Sequence, residues 1–137
     1  MKSILIVFTT AVLFFSCGKE ETKFEAFSAE AFAYDLGGSW EVNASTRVKG
    51  MAQKEDGEYF VAAISYSVDL TKPSGEVVKN VYEDKQDFSK DEEFIDIPLE
   101  VQFVLDSTYT TGNYKATFHV KDNSTGETTE VSADFKM

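Results

Sequence analysis

Apolar and polar side chains alternate with a period of two in five separate stretches of this chain, and that pattern excludes most folds open to a sequence of its length. A period of two marks a strand with one face on a core and the other in water. Trp40, Val42, Ala44, Thr46 and Val48 share one face, and Glu41, Asn43, Ser45 and Arg47 the other. Phe60, Ala62, Ile64, Tyr66, Val68 and Leu70 line up next. Tyr59, Val61 and Ala63 make the start of that strand apolar on both sides, which predicts a central position. Ile95, Ile97, Leu99, Val101, Phe103 and Leu105 follow, alternating with Asp96, Pro98, Glu100, Gln102 and Val104. Pro98 has no ladder donor, so this strand should have an edge or a bulge there. Tyr114, Ala116, Phe118 and Val120, then Thr129, Val131, Ala133 and Phe135, complete the set.

Turn chemistry separates these stretches. Lys54-Glu55-Asp56-Gly57, Pro73-Ser74-Gly75 and the run from Asp122 to Gly126 each combine residues that preset or tolerate turn backbone. Residues 77–82 return as a shorter strand and make a hairpin. The acid-rich stretch 83–93 has only Phe88 as an anchor and reads as a long loop or a poorly paired edge. Residues 24–36 fit neither template cleanly and allow helix or strand; a first strand near 30–34 after an extended lead is favoured because it suits the Gly37-Gly38 pair that follows. Six or seven strands with no βα alternation predict an all-β antiparallel sandwich of two facing sheets.

A chain of 137 residues is one domain by length, and 42% apolar with 14% aromatic residues excludes a disordered acidic tail. A formal charge of -11 repels phosphate backbones, so nucleic acid is not an expected partner. Lys2 precedes an apolar run over 4–15 that is too short for a bilayer core of roughly 30 Å and reads as a signal h-region. Leu13-Phe14-Phe15-Ser16-Cys17-Gly18 then resembles a bacterial lipobox. The resemblance implies a signal peptide over 1–16, acylation of Cys17 as the first mature residue, a lipidated tether over 17–23 and a domain over 24–137. Buried acyl chains hold at about 0.8 kcal/mol per CH₂. Removing 1–16 takes away one Lys and no acid, so the acidity belongs to the exported part. Gly18-Lys19-Glu20-Glu21-Thr22 resembles the export signal of Bacteroidota lipoproteins, implying through Lys19, Glu20 and Glu21 a place on the outer face of the outer membrane. A solvated tether explains the same charges, with a periplasm-facing domain as the alternative.

Thr110-Thr111-Gly112-Asn113-Tyr114-Lys115-Ala116 resembles the penultimate-strand corner of immunoglobulin-like domains, with a glycine two residues before a tyrosine. That resemblance covers 108–137 and implies a Tyr114 hydroxyl bonded back to corner backbone, no disulfide because Ala116 stands at the cysteine position, and a seven-stranded sandwich. It also offers Trp40 as the sheet-filling tryptophan.

Candidate chemistry is sparse. His119, the only histidine, falls on the polar face between Thr117 and Lys121, as a solvent-facing strand residue. Cys17 is taken up by lipid, and no Gly-x-Ser-x-Gly elbow, phosphate loop or His-Glu-x-x-His pattern occurs. No catalytic residue, cofactor or metal is therefore expected. Asp84, Asp87, Asp91, Glu92 and Glu93 do not follow calcium-loop spacing and read as solvated. Trp40, Tyr59, Tyr82 and Tyr109 are the aromatics that sugars stack on, and Tyr109 alone looks free of packing, as a ligand contact. Asp106-Ser107-Thr108 resembles the O-glycosylation acceptor of Bacteroidota, with Ser107 as the modified residue. Asn43-Ala44-Ser45 and Asn123-Ser124-Thr125 fit the eukaryotic N-linked sequon, machinery a bacterial lipoprotein does not meet. The expected role is a non-catalytic binding module on the membrane through Cys17, engaging an envelope protein, or alternatively a glycan in a polysaccharide-uptake system.

Overall fold

A computed structural model describes Gly18 and residues 20–137; Cys17, Lys19 and the signal segment lie outside the described residues. Eight strands follow one another: β1 (Glu25–Asp35), β2 (Trp40–Lys49), β3 (Lys54–Asp56), β4 (Tyr59–Thr71), β5 (Val77–Lys90), β6 (Asp96–Leu105), β7 (Asn113–Asp122) and β8 (Thr128–Lys136). There is no helix among the described residues. One sheet has the order β1-β2-β6. In the other, β4 pairs with β5 on one edge and with β7 on its opposite edge, β8 lies beyond β7, and the short β3 pairs with the start of β4. All pairings are antiparallel. The chain crosses between sheets from β2 to β3, from β5 to β6 and from β6 to β7, so it is an antiparallel β-sandwich with Greek-key connections.

The alternating positions supply the core. Val42, Val48, Ile97 and Leu99 of the three-stranded sheet meet Ile64, Val68, Leu70, Phe118 and Val120 of the five-stranded one, all inaccessible to solvent or nearly so. Full burial of each such side chain stabilises the fold by roughly 1.5–3 kcal/mol. Pro98 is exposed on β6, an edge strand with unbroken register against β2, which places its missing donor on the free side. Trp40 is not the sheet-filling residue: it opens β2 half-buried, and the buried aromatic of the central strand is Tyr66, 4% exposed.

Two strands are longer than their patterns predict, and each contains a bulge. β1 starts at Glu25, not near residue 30, and its register against β2 shifts between Phe27 and Glu30, with Ser28 at φ 53°. The bulge resets the alternation midway, which is why neither template fits. It also turns the start of β1 toward β8, where the Ala26 amide donates to Thr129 Oγ1 at 3.1 Å. The stretch 83–93 is mostly not a loop: β5 continues to Lys90 and pairs with β4 residue for residue from Tyr82 to the end. An edge strand needs only one inward face, and Tyr82, Asp84, Gln86 and Phe88 are half-buried while Glu83, Lys85 and Asp87 are solvated.

Candidate functional site

The face of the five-stranded sheet turned away from the core carries the densest set of chemical groups. Register brings Glu83, Ser67, His119 and Glu130 into one row across β5, β4, β7 and β8. Lys85, Ser65, Lys121 and Thr128 form the adjacent row. Together the two rows line a shallow, open depression of about 890 Å³.

At one end of the depression lies Asp69, a carboxylate only 4% exposed. Its burial follows from the second bulge. Opposite the one residue Asp69, between the pairs Val68↔Tyr82 and Leu70↔Val78, β5 inserts Lys79, Asn80 and Val81. Asn80 takes φ 51°, a conformation asparagine tolerates better than most residues, and its amide donates to Asp69 Oδ1 at 2.9 Å. Asp69 Oδ2 accepts from Lys79 Nζ and bonds His119 Nε2, each at 2.9 Å. Burial opposes the charge on this carboxyl, but the Asn80 amide, Lys79 and His119 outweigh it and hold the group below the ordinary aspartate value. His119 Nδ1 meets Glu130 Oε2 at 3.1 Å, so each ring nitrogen faces a carboxylate oxygen.

This arrangement holds the histidine between two carboxylates. Ser67 stands opposite His119 in register, yet no hydrogen bond joins their side chains. The two ring nitrogens point to opposite partners, so Asp69, His119 and Glu130 do not converge on one point. Among the described residues no group of three or more His, Cys, Asp and Glu is placed to hold a metal. The acids of 84–93 do not converge either. Asp84 and Asp87 fall on opposite faces of β5, and Asp84 Oδ2 accepts from Gln86 Nε2 at 2.6 Å beside the Tyr66 hydroxyl. Burial, with Tyr82 and Asp84 alongside, pushes that hydroxyl well above an ordinary phenol.

The remaining sequence-derived residues sit elsewhere. The Tyr114 hydroxyl donates to the Thr110 carbonyl at 2.6 Å, the corner bond implied by the resemblance, and its ring stacks on Phe135 at 5.6 Å. Tyr109 is not free of packing: it is half-buried against the core, with Lys72 Nζ 5.1 Å from its ring centroid. Ser107 is exposed in a turn closed by Asp106 Oδ1, which accepts the Thr108 amide at 2.9 Å. Glu20 and Glu21 are exposed, remote in sequence from this face. Sequence reading placed His119 on the correct face and missed Asp69, Lys79 and Glu130. The only signal for them was the register, in which His119 opposes Glu130.

No protein-family profile matches the sequence, and neither does any curated protein. Among solved structures, the fold resembles part of a family 123 glycoside hydrolase from Clostridium perfringens, described for glycolipid glycan hydrolysis, with TM-score 0.45 and 8% identity. The match covers 77% of this chain and 22% of that one, so the chain spans about a fifth of that protein's length.

Proposed function

We propose that this chain is a non-catalytic binding module of the bacterial envelope, lipid-anchored through Cys17 in the outer membrane and facing outward, that engages an envelope protein with the outer face of its five-stranded sheet. The observation that supports this reading is the state of His119. Both ring nitrogens face carboxylates on an open, solvated sheet face, an arrangement of fixed charge and hydrogen-bonding groups that suits recognition. Lys19, Glu20 and Glu21 belong to the tether under this reading, and a periplasm-facing domain is its topological alternative. A glycan-binding accessory role in polysaccharide uptake is the second reading. The hydroxyls of Ser65, Ser67 and Thr128 beside Glu130 favour it, while Tyr109 under Lys72 does not provide an open stacking face.

Photo-crosslinking in intact cells tests both readings. A photoreactive residue at Ser67 should give one discrete protein adduct, and the same residue at exposed Lys136 should not. Binding on a glycan array that is lost in Glu130→Gln would decide for the second reading. Neither adduct nor glycan binding would overturn the assignment of this face.

A further inference from the structure

The free edge of the three-stranded sheet carries an independent inference. Beyond its bulge, β1 runs from residue 30 to residue 35 paired only with β2, and among the described residues no strand occupies its other edge. The outward backbone donors and acceptors of such an edge form a template for another strand, and proteins commonly block it with proline, lysine or a bulge. The other edges of this sandwich are protected. Pro98 interrupts β6, charged Glu83, Lys85 and Asp87 line β5, and the start of β1 leans on β8 through Ala26 and Thr129. Between 30 and 35 there is no proline, lysine or bulge, and the only charged residues, Glu30 and Asp35, stand at its two ends. Phe32, Tyr34 and the adjoining Leu36 are each 56% exposed, and Val104 is 60% exposed two strands away in the Tyr34–Glu41–Val104 row. Glu30, Glu41 and Glu100 share the outward face of this strip, and Asp35 stands at its end with the opposite parity, making four carboxylates. No Lys or Arg occurs from 24 to 46 or from 91 to 114, so this half of the sheet has no cation of its own. The two cations of its three strands, Arg47 and Lys49, are paired with Asp96 and Glu25.

We infer that residues 30–35 of β1 form a docking edge for an extended partner segment that adds as a fourth strand and carries both apolar residues and Lys or Arg on the face it shares with Phe32 and Tyr34. Main-chain bonds would give affinity, the aromatic strip would take the apolar side chains, and the four carboxylates would select positive charge. A second copy of this chain is the disfavoured occupant, because two such edges would bring like charges together.

The test uses the full chain in uncharged detergent, with two synthetic peptides: one with Lys, Val and Phe interspersed on the same face of the strand, the other with Glu in place of Lys. The Lys peptide should bind saturably by fluorescence anisotropy, weaken with salt, and protect amides between 30 and 35 from hydrogen exchange. Phe32→Asp should weaken it by about tenfold or more. The double change Glu41→Lys and Glu100→Lys, at exposed or half-exposed positions that leave the core intact, should reverse the preference to the Glu peptide. Equal binding of both peptides, no binding of either, or protection confined to the five-stranded sheet would overturn the proposal. A concentration-dependent dimer abolished by Phe32→Asp would also overturn it, by making a second copy the occupant. Failure of the Ser67 crosslink leaves this proposal standing, since that residue lies on the other sheet.

Discussion

The Tyr114 hydroxyl donates to the carbonyl of Thr110 across the corner that leads into β7, at 2.6 Å. Tyr114 is 2% exposed, so water does not replace that bond when it is removed. Tyr114→Phe keeps the ring on Phe135 and deletes the donor, and it should cost about 1 kcal/mol. A lower midpoint in chemical denaturation with an unchanged slope checks this.

Asp122 closes β7 with a carboxylate that solvent does not reach. Its Oδ2 accepts the Ala52 amide at 2.7 Å, and its Oδ1 accepts the Ser124 amide at 2.8 Å. Asp122→Ala leaves both amides without their acceptor and should cost about 2–4 kcal/mol, with Asp122→Asn intermediate. Thermal unfolding of the two variants side by side provides the ranking, and equal midpoints would contradict it.

Asp69 contributes a pH-dependent share of stability. Its folded value lies below the ordinary 3.8, so the contribution is complete above that value and is lost as pH falls below it. Asp69→Asn should therefore be destabilised near neutrality, by about 1.5–3 kcal/mol for a buried charge-assisted network. The gap from the native chain should close in acid. Denaturation midpoints from about pH 7 to about pH 3 measure it; a constant gap would show that the charge is not the cause.

Gly50 combines a φ of +71° with a close approach of backbone. A Cβ there would fall on the Lys23 carbonyl and lie 2.5 Å from the Thr22 carbonyl oxygen, where the chain enters the domain. Gly50→Ala should cost about 1–3 kcal/mol and loosen the start of β1, measurable as faster amide exchange around Phe24.

Cys17→Ser removes the only thiol able to carry the proposed lipid anchor. The variant should accumulate unprocessed or leave the membrane fraction. Unchanged fractionation would refute the anchor.

Alternation, with turn residues and proline chemistry, was enough to read five strands, the turns at Pro73 and Asp122, the edge at Pro98 and the hairpin of β7 and β8, because each depends on neighbours in sequence. The corner of Tyr114 was legible for the same reason: glycine, tyrosine and acceptor lie within a few residues. What sequence did not reveal arises where a bulge changes the count. The shift at Phe27 hid half of β1, and the three residues inserted opposite Asp69 concealed that an outward-facing acid is buried. Only tertiary structure decided that Asp69, Lys79, His119 and Glu130 form one network, or that Phe32 and Tyr34 lie on a free edge. Those facts depend on which strands become neighbours, and pairing between residues 50 positions apart leaves no local period to detect.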